Sequence, residues 1–492
     1  MYIRKERKEM TDKRFLEITA YLAALIKETE FENKVYAVGG AIRSLQMGED
    51  IKDIDLVIEL PDGGVKLAEF LKESGHCSNV VIYPTFGTAM FHLNQFPDEE
   101  IECVMTRGEK YLDSGSRNPT VTFASLKEDA SRRDLTINAL YYNISQMLIR
   151  DPTCLGLKDI ERGVIRTPRN PNETFIDDPL RILRVVRFAE RTKFDIIGDV
   201  YVAMKENIDR LSIISKERIR DEFIKILLND NVVKAFDILM DIGAMKYIIP
   251  EFVKTKGCTQ NEYHFGDVYQ HTVSMLDYYH KNMYVGKDLI VLLALVLHDI
   301  GKIETRTIKD GKVHFYEHEI VGEKMVEPIL RNLKFDNDTI KEVQFLVKNH
   351  MRTKNFGNSL EKIKEKSLNK LAYVCGTEER YIRLASVIEC DNMCHRADHC
   401  VTGQFVAMIA AIPYVERMFG FKLPVNGDDV MQITHCKPCA EIKEVLRRIT
   451  KTAMGKPDIT KSECVQLIRA YWKQVQKEKR NEFGMFKPKG DD

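Results

Sequence analysis

Two glycines followed by two aspartates constrain this chain more than any other feature. Gly39 and Gly40 end a β-branched run, and Asp53 and Asp55 begin ten residues after Arg43. Glycines after a strand let backbone N–H groups approach a phosphate closely, with a helix N-terminus behind them. Residues two apart on a strand share a face, so the two carboxylates are predicted to lie side by side. Because they repel each other unless a divalent cation lies between them, the pattern predicts a Mg²⁺ site.

Each part of this pattern also has an ordinary explanation. A D-x-D pair can be an exposed strand face, and a Gly-Gly turn alone carries little information. The order strand, Gly-Gly, helix and D-x-D within about twenty residues favours the metal site. A third acid is expected on a neighbouring strand, and Glu102 in the run 101–104 is the candidate. The alternative for Glu102 is a surface residue of an edge strand.

The periodicity of apolar residues divides the chain. Short strand-like runs dominate up to about residue 150, and from Asp151 onward almost every segment has helical spacing. A chain of 492 residues is too long for one hydrophobic core, and proline and glycine mark the joints. We therefore predict a head at 1–155, a neck at 156–255, a third domain at 256–405 and a helical tail at 406–492.

Composition indicates the cellular compartment of the protein but does not indicate what it binds. The 74 basic and 74 acidic side chains cancel, so net charge gives no sign for or against nucleic acid. Eleven cysteines occur without a repeating framework, which favours reduced thiols. The first residues are charged rather than apolar, and no apolar run approaches the ~20 residues that cross a bilayer. These observations predict a cytoplasmic protein.

A second motif narrows the family. Arg132, Arg133, Asp134 and Asn138 form an Arg-Arg-Asp-x-x-x-Asn pattern. With the Gly-Gly and D-x-D pattern, it resembles the polymerase-β-type nucleotidyltransferases of class II, the bacterial tRNA CCA-adding enzymes and poly(A) polymerases. The resemblance implies an α+β fold, in which a head with a small mixed sheet precedes an all-helical neck, an HD domain and a tail.

The resemblance also assigns roles to this motif. It implies that its four polar residues, together with Gly39, Gly40 and Arg43, bind the triphosphate and ribose of a nucleotide. The chemistry fits, because paired guanidiniums neutralise phosphates and an Asp–Asn pair can bind a 2′-hydroxyl. The alternative is a solvated, charged turn before a helix.

A third motif has the chemistry of base selection. Asp178 precedes a helix on which Arg181, Arg184 and Arg187 recur every three residues. In the family that this motif resembles, Asp178 and Arg181 act as a protein template. A carboxylate accepts from the exocyclic amine of C or A, and a guanidinium donates to the adjacent ring nitrogen. Uracil and guanine present a carbonyl where the amine stands. The alternative is a capped amphipathic helix with an exposed arginine stripe.

His271, the adjacent pair His298 and Asp299, and Asp391 follow one another in the third domain in an order that resembles HD metal-dependent phosphohydrolases. The predicted ligands are imidazoles and carboxylates from separate helices, with a transition metal such as Ni²⁺ or Mn²⁺ as the possible ion. His318 and His350 stand where such domains often hold further ligands. The alternatives are structural histidines or a catalytically silent scaffold, and a zinc site near residues 390–400 is a weaker one. The four predicted ligands are His271, His298, Asp299 and Asp391.

These resemblances imply an enzyme that builds the CCA end of tRNA from CTP and ATP with Mg²⁺. Poly(A) addition, CC-only addition and A-only addition remain open, because they differ in a loop near 109–125. The other open class is an HD phosphohydrolase whose head only binds RNA, although the intact head motifs argue against it. The loop residues that look CCA-like are Glu109, Tyr111, Asp113, Arg117 and Pro119.

Overall fold

A computed structural model describes most of the chain. Contacts within the chain divide it into two compact units, residues 1–253 and 254–492. The finer division into four domains stays a prediction. Tyr111, Asp113, Arg117 and Pro119 of the diagnostic loop lie outside the described residues, as does the side chain of Glu109. The described residues are 12–51, 53–83, 87–110, 120–264, 266–283, 286–353, 356, 363–396 and 400–484.

The head is an α+β structure, as predicted. Within the described residues, seven strands form one mixed sheet in the order β3-β4-β5-β2-β1-β8-β9, and β6 pairs with β7 in a separate hairpin. A 3₁₀ turn spans Thr136–Asn138. In chain order the elements are α1 (Asp12–Ile26), β1 (Val35–Val38), α2 (Gly40–Met47), β2 (Ile54–Ile58), α3 (Gly63–Glu73), β3 (Cys77–Tyr83), β4 (Thr88–Leu93), β5 (Phe96–Met105), β6 (Arg107–Lys110), β7 (Thr120–Phe123), α4 (Leu126–Ser131), β8 (Tyr141–Asn143) and β9 (Leu148–Arg150).

Central strand β2 pairs in both directions. It is antiparallel to β1 and parallel to β5, which makes the sheet mixed. Its apolar residues Ile54 and Leu56 are buried, while Asp55 between them is exposed, because side chains alternate across a strand. Helix α3 packs close to β5, and a Cβ at Gly64 would lie 2.6 Å from the carbonyl oxygen of Cys103. Only glycine permits this approach.

The remainder of the first unit is helical, as predicted, apart from one two-residue strand pair. Strands β10 and β11 pair in parallel and flank α7, the helix that carries the arginine repeat. Helix α7 contacts α9 extensively. The elements are α5 (Gly156–Arg162), β10 (Val164–Ile165), α6 (Pro171–Asp177), α7 (Leu180–Thr192), β11 (Asp195–Ile196), α8 (Gly198–Glu206), α9 (Lys216–Leu227), α10 (Val232–Asp241), α11 (Met245–Ile248) and α12 (Pro250–Val253), with a 3₁₀ stretch at Ile208–Ile213.

Among the described residues of the second unit, the named elements are helices apart from one hairpin, β12–β13, that the sequence reading missed. Asp310 and Gly311 form its two-residue turn with φ of 52° and 73°. Positive φ at both positions is the type I′ geometry that Asp-Gly favours. The elements are α13 (Val268–Asn282), α14 (Leu289–Leu297), α15 (Lys302–Thr305), β12 (Arg306–Lys309), β13 (Lys312–Phe315), α16 (His318–Asn332), α17 (Asn337–Asn349), α18 (Glu365–Cys375), α19 (Glu378–Met393), α20 (Gln404–Ala410), α21 (Ile412–Val415), α22 (Gly427–Thr434), α23 (Ala440–Ala453) and α24 (Lys461–Gly484), with 3₁₀ turns at His350–Thr353 and Glu416–Met418.

The tail has a small core of its own. Val430, Val445, Ile449 and Ile468 are buried where α22, α23 and α24 pack together. The eleven cysteines all lie in described segments and are free thiols. Within the described segments, no helix is long and apolar enough to cross a bilayer.

Candidate functional site

Three acidic side chains share one face of the head sheet. Asp55 on β2 pairs in parallel register with Glu102 on β5, so their side chains project to the same side. Asp53, Asp55 and Glu102 are exposed, whereas their neighbours Ile54 and Ile101 are buried on the opposite face. The third acid predicted from the sequence therefore lies directly beside the D-x-D pair. An exposed row of carboxylates on adjacent strands can hold Mg²⁺ with oxygen ligands and leave room for substrate phosphates.

A polar chain beside this face joins three motifs. The Nη1 of buried Arg43 donates to Asn138 Oδ1 at 2.5 Å, and Asn138 Nδ2 donates to Asp134 Oδ1 at 3.1 Å. Arg184 on α7 completes the chain with its Nη2 at 2.6 Å from Asp134 Oδ2. Burial lowers the pKa of Arg43 to about 10, so the guanidinium remains charged at neutral pH. Burial alone would raise the pKa of Asp134, but Arg184 and Asn138 hold it well below its usual range.

Arg132 and Arg133 are fixed by a residue that the sequence reading did not identify. Asp129 is fully buried and accepts from Arg132 Nη2 at 2.6 Å and from Arg133 Nε at 3.2 Å. Tyr141 joins them, since its hydroxyl accepts from Arg133 at 2.9 Å and donates to Asp129 at 2.7 Å. Burial raises the pKa of Asp129, yet the two guanidiniums outweigh it and lower the value to about 2. The signal was the helical i, i+3 and i+4 spacing of Asp129 to the two arginines.

The Gly-Gly turn leaves space for these arginines. Gly39 has φ of 69°, which glycine adopts without strain, and a Cβ there would lie 3.7 Å from Arg133 Nη1. Gly40 begins α2, so the N-terminal N–H groups of that helix lie at the turn. A phosphate at this turn would meet the helix N-terminus and the Arg133 guanidinium together.

The two predicted base readers each have a protein partner. Asp178 Oδ2 accepts from Arg218 Nη2 at 2.7 Å, and its Oδ1 accepts from the backbone N–H of Leu180 at 3.2 Å. The Nη1 of Arg181, which is 8% exposed, lies 3.4 Å from the carbonyl oxygen of Thr174. Arg218 belongs to α9, a helix of the same compact unit. Its contact with Asp178 shows that α9 reaches the base-reading motif.

The other arginines of α7 are anchored rather than exposed. Arg187 Nε lies 2.7 Å from the Oε2 of Glu222 on α9, and Arg184 Nη1 lies 3.9 Å from the Oε1. The ring of Phe188 lies between guanidiniums, with Arg187 at 4.3 Å and Arg43 at 4.9 Å from its centroid. These contacts connect α2 of the head to α7, so the turn and the base-reading helix are held together.

The four predicted HD ligands come together in the second unit, and His318 and His350 join them. They form two groups whose ligand atoms lie within 4.8 Å of one another. His271, His298 and Asp391 form the first group, and His271 Nε2 lies 3.1 Å from Asp391 Oδ1. Asp299, His318 and His350 form the second. The adjacent residues His298 and Asp299 therefore belong to different groups, and all six side chains are buried.

Three of these imidazoles are oriented as metal ligands. The Nδ1 atoms of His298, His318 and His350 face the carbonyl oxygens three residues earlier, at 2.9, 2.9 and 2.6 Å. Donation from Nδ1 leaves a lone pair on Nε2, and these buried Nε2 atoms make no hydrogen bond within the described residues. Burial and the nearby His298 lower the pKa of His350 to about 3, so its ring is neutral. This donor set fits a bound metal.

Lys302, His264 and His395 complete the HD site, and the sequence reading gave them no role in it. Lys302 Nζ lies 2.6 Å from Asp299 Oδ2, and His395 Nε2 lies 3.5 Å from Asp391 Oδ1. The His264 ring lies 4.6 Å from that of His271. The position of Lys302, three residues after Asp299 on a helical turn, was the available signal. These groups border a cavity of about 200 Å³.

Comparisons with known proteins agree with this architecture. Residues 35–166 match the family model described as the poly A polymerase head domain. Residues 193–255 match a probable RNA and SrmB-binding site of polymerase A, and residues 263–375 match the HD domain. The multifunctional CCA protein of Chromobacterium violaceum is 30% identical over 317 residues, which are 62% of this chain and 71% of that protein. The chain belongs to the family of CCA-adding tRNA nucleotidyltransferases.

Other members of the CCA-adding family resemble different portions of the chain. The multifunctional CCA protein of Janthinobacterium is 27% identical over 82% of this chain and 91% of its own length. The mitochondrial CCA tRNA nucleotidyltransferase of Saccharomyces cerevisiae is 34% identical over 224 residues, which are 41% of this chain. The match spans only 39% of that yeast enzyme.

Solved CCA-adding enzymes share the fold. The Bacillus stearothermophilus enzyme in complex with CTP matches with a TM-score of 0.67 at 21% identity, covering 94% of this chain and 99% of its own. The Thermotoga maritima enzyme complexed with tRNA matches with a TM-score of 0.56 at 19% identity, covering 94% and 96%. The predicted fold class, a polymerase-β-type head followed by helical segments and an HD domain, is confirmed.

Proposed function

We propose that this protein adds C, C and A to tRNA 3′ ends from CTP and ATP without a nucleic-acid template. The observation that carries the proposal is the exposed acidic face of Asp53, Asp55 and Glu102 on adjacent strands. It lies in the same head as the Arg43–Asn138–Asp134–Arg184 chain and the Arg132–Arg133 pair. A cation-holding face and anchored guanidiniums are the two components that phosphoryl transfer to an RNA end requires.

The residues of the head would have different roles in nucleotide addition. Asp53, Asp55 and Glu102 would hold Mg²⁺, which when bound lowers the pKa of the primer 3′-hydroxyl and neutralises the leaving pyrophosphate. Arg132 and Arg133 stand fixed by Asp129, so they can bind phosphates without losing side-chain freedom. Gly39 and Gly40 would supply backbone N–H groups to the triphosphate. Asn138 and Asp134 would bind the ribose.

Base selection is assigned to Asp178 and Arg181. Arg218 orients the Asp178 carboxylate, and the Thr174 carbonyl orients the Arg181 guanidinium. An incoming C or A would present its amine to Asp178 and its ring nitrogen to Arg181. Uracil or guanine would place a carbonyl oxygen against the carboxylate, which would gain no donor from the base. Arg184 and Arg187 hold this helix through Asp134 and Glu222.

Product length tests the proposal against its alternatives. On tRNA trimmed before CCA, labelled CTP alone should add two residues and CTP with ATP should add three. On tRNA ending in CC, ATP alone should add one. Long A tails would identify a poly(A) polymerase, and arrest after CC or addition of A only would identify the partial enzymes. Absence of any addition would leave the head as an RNA-binding module.

A second activity, phosphohydrolysis by the HD domain, is proposed on a separate observation. The buried Nε2 atoms of His298, His318 and His350 converge on the Asp299 carboxylate, at 3.0, 3.3 and 3.9 Å from its oxygens. Such atoms fit a transition metal such as Ni²⁺ or Mn²⁺, which when bound activates a water molecule for attack on phosphorus. Cyclic phosphates of RNA ends are the proposed substrates.

The proposed location is the cytoplasm. The eleven cysteines of the protein are free thiols, which suits a reducing compartment. The proposed partners, tRNA and nucleoside triphosphates, are present there.

A further inference from the structure

Two aromatic rings at the end of the β12–β13 hairpin stack against each other at the HD cavity. His314 lies on β13, and Tyr316 lies in the turn that directly follows this strand. The ring centroids lie 5.2 Å apart, and the planes differ by only 7°. Tyr316 is nevertheless 63% exposed, an unusual position for a large ring that serves only to fill a core.

The hairpin holds this pair in a fixed position. His314 pairs with Thr307 across the hairpin, and the Asp310–Gly311 turn closes it. Arg306 at the base donates from Nη2 to Thr259 Oγ1 at 2.7 Å, which ties the hairpin to the segment before α13. His314 is therefore held by the hairpin, and Tyr316 follows in the turn between β13 and α16.

The stacked pair and the HD ligands border the same cavity. Its walls include Asp299, Lys302 and His318 together with His314 and Tyr316. Lys302 brings a buried ammonium group, and Asp299 lies at the centre of the second ligand group. The cavity volume of about 200 Å³ accommodates a phosphate and its sugar, while the exposed Tyr316 ring lies at the rim.

We infer that His314 and Tyr316 form a base-stacking platform, so that the HD site selects nucleoside phosphates over phosphate esters without a base. Every nucleobase has a flat π face, and stacking on an aromatic side chain is a sequence-tolerant way to bind it. The base would lie on Tyr316, and the phosphate would lie at Lys302 and the ligand groups. The inference rests on the proposed HD activity for its substrate but concerns residues outside the metal ligands.

The chemistry at such a site balances without another reactant. In hydrolysis of a 2′,3′-cyclic phosphate, a water oxygen bonds to phosphorus and one bond from phosphorus to a ribose oxygen breaks. The released ribose oxygen takes the proton that the water loses. The base remains unchanged throughout, so stacking should affect binding and leave the chemical step nearly unaltered.

Binding by the full-length protein tests the platform directly. Calorimetric titration with adenosine 2′-monophosphate and with inorganic phosphate should be compared for the unchanged chain, Tyr316→Ala and Tyr316→Phe. We expect Tyr316→Ala to weaken nucleotide binding about tenfold or more, with phosphate binding unchanged and Tyr316→Phe close to the unchanged chain. Tyr414→Ala is the matched control, because Tyr414 is also exposed, at 67%, but lies outside the cavity. Nucleotide bound in the head would contribute equally to every variant.

Kinetics separate this inference from the proposed activity. With Ni²⁺ or Mn²⁺, Tyr316→Ala should raise KM for 2′,3′-cyclic AMP about tenfold with kcat nearly constant. It should not affect hydrolysis of glycerol 1,2-cyclic phosphate, which has no base. Equal losses on both substrates, or unchanged nucleotide binding, would overturn the platform. If the unchanged chain hydrolyses neither substrate, the HD activity fails, and the binding experiment still decides the platform.

Discussion

The two candidate sites of this protein present acidic groups in opposite ways. In the head, Asp53, Asp55 and Glu102 are exposed on the face of a sheet. In the HD domain, the six ligands are buried and the key carboxylate, Asp299, is 2% exposed. Both three-ligand groups found within 4.8 Å among the described residues lie in the HD domain.

This difference indicates how each site obtains its metal. Mg²⁺ keeps much of its water and is usually held by one or two carboxylates together with substrate phosphates, so an open face suits it. A buried set of imidazoles around a carboxylate suits a resident ion, because a metal can bind these nitrogen and oxygen atoms, which have already lost their contact with water. We therefore expect the head metal to exchange with each nucleotide and the HD metal to remain.

The largest expected effect concerns the head alone. Asp53→Ala should lower nucleotide addition by about 10³-fold or more, because it removes an oxygen ligand of the Mg²⁺ site. Binding of tRNA and any HD hydrolysis should be nearly unchanged. The assay is single-turnover CMP addition to trimmed tRNA.

Asp98→Ala is the matched control for Asp53→Ala, since Asp98 is an exposed acid on the same strand as Glu102. It should retain full activity. Near-normal nucleotide addition by Asp53→Ala would show that this face is not the metal site. The contrast between an exposed metal site in the head and a buried one in the HD domain would then be wrong.

Metal removal should affect the HD domain more than the head. Readdition of Ni²⁺ or Mn²⁺ to stripped protein, at about 100 times its Kd, should stabilise the folded state by about 2.7 kcal/mol. His298→Ala or Asp299→Ala should abolish this stabilisation and all phosphodiesterase activity, while CCA addition survives. Thermal unfolding and elemental analysis provide the measurements. A protein that binds no transition metal would show that the domain is a scaffold.

The smallest expected effect concerns base selection in the head. Arg181→Ala should lower the ratio of CTP to UTP incorporation about tenfold, since each unpaired buried polar group costs about 1–3 kcal/mol. Asp178→Ala should act in the same direction. Single-nucleotide incorporation of all four triphosphates measures it. Uniform slowing with unchanged base preference would mean that these residues only position α7.

Local motifs predicted the head well because each one lies within a short stretch of chain. The spacing of Asp53 and Asp55 predicts a shared face, and in the structure both are exposed, with Asp55 on β2 and Asp53 directly before it. Glu102 was a candidate by strand pattern alone, and only the parallel pairing of β2 with β5 placed it beside Asp55. The sequence alone did not reveal that Asp129 holds Arg132 and Arg133, because this role depends on Tyr141 and on complete burial.

In the HD domain, the sequence reveals even less about which distant side chains meet. The order of His271, His298, Asp299 and Asp391 predicted a metal site, but the packing of the helices determines which ligands meet. Packing of α13, α14, α16, α17 and α19 separates them into two groups and brings in His318 and His350. The stacked pair at Tyr316 depends on a hairpin whose turn signal, Asp310-Gly311, stands in the sequence and was overlooked.

The sequence by itself determined which chemical groups each candidate site contains. The tertiary structure decided which side chains pair with one another. Residue type and spacing along one strand or helix are local properties, so the chain alone specified carboxylates on a shared face and arginines along α7. Hydrogen bonds such as Asp178 with Arg218 and Asp134 with Arg184 join residues 40 and 50 positions apart. Such pairs form only when packing of distant apolar faces brings the backbones together, and no local pattern encodes that distance.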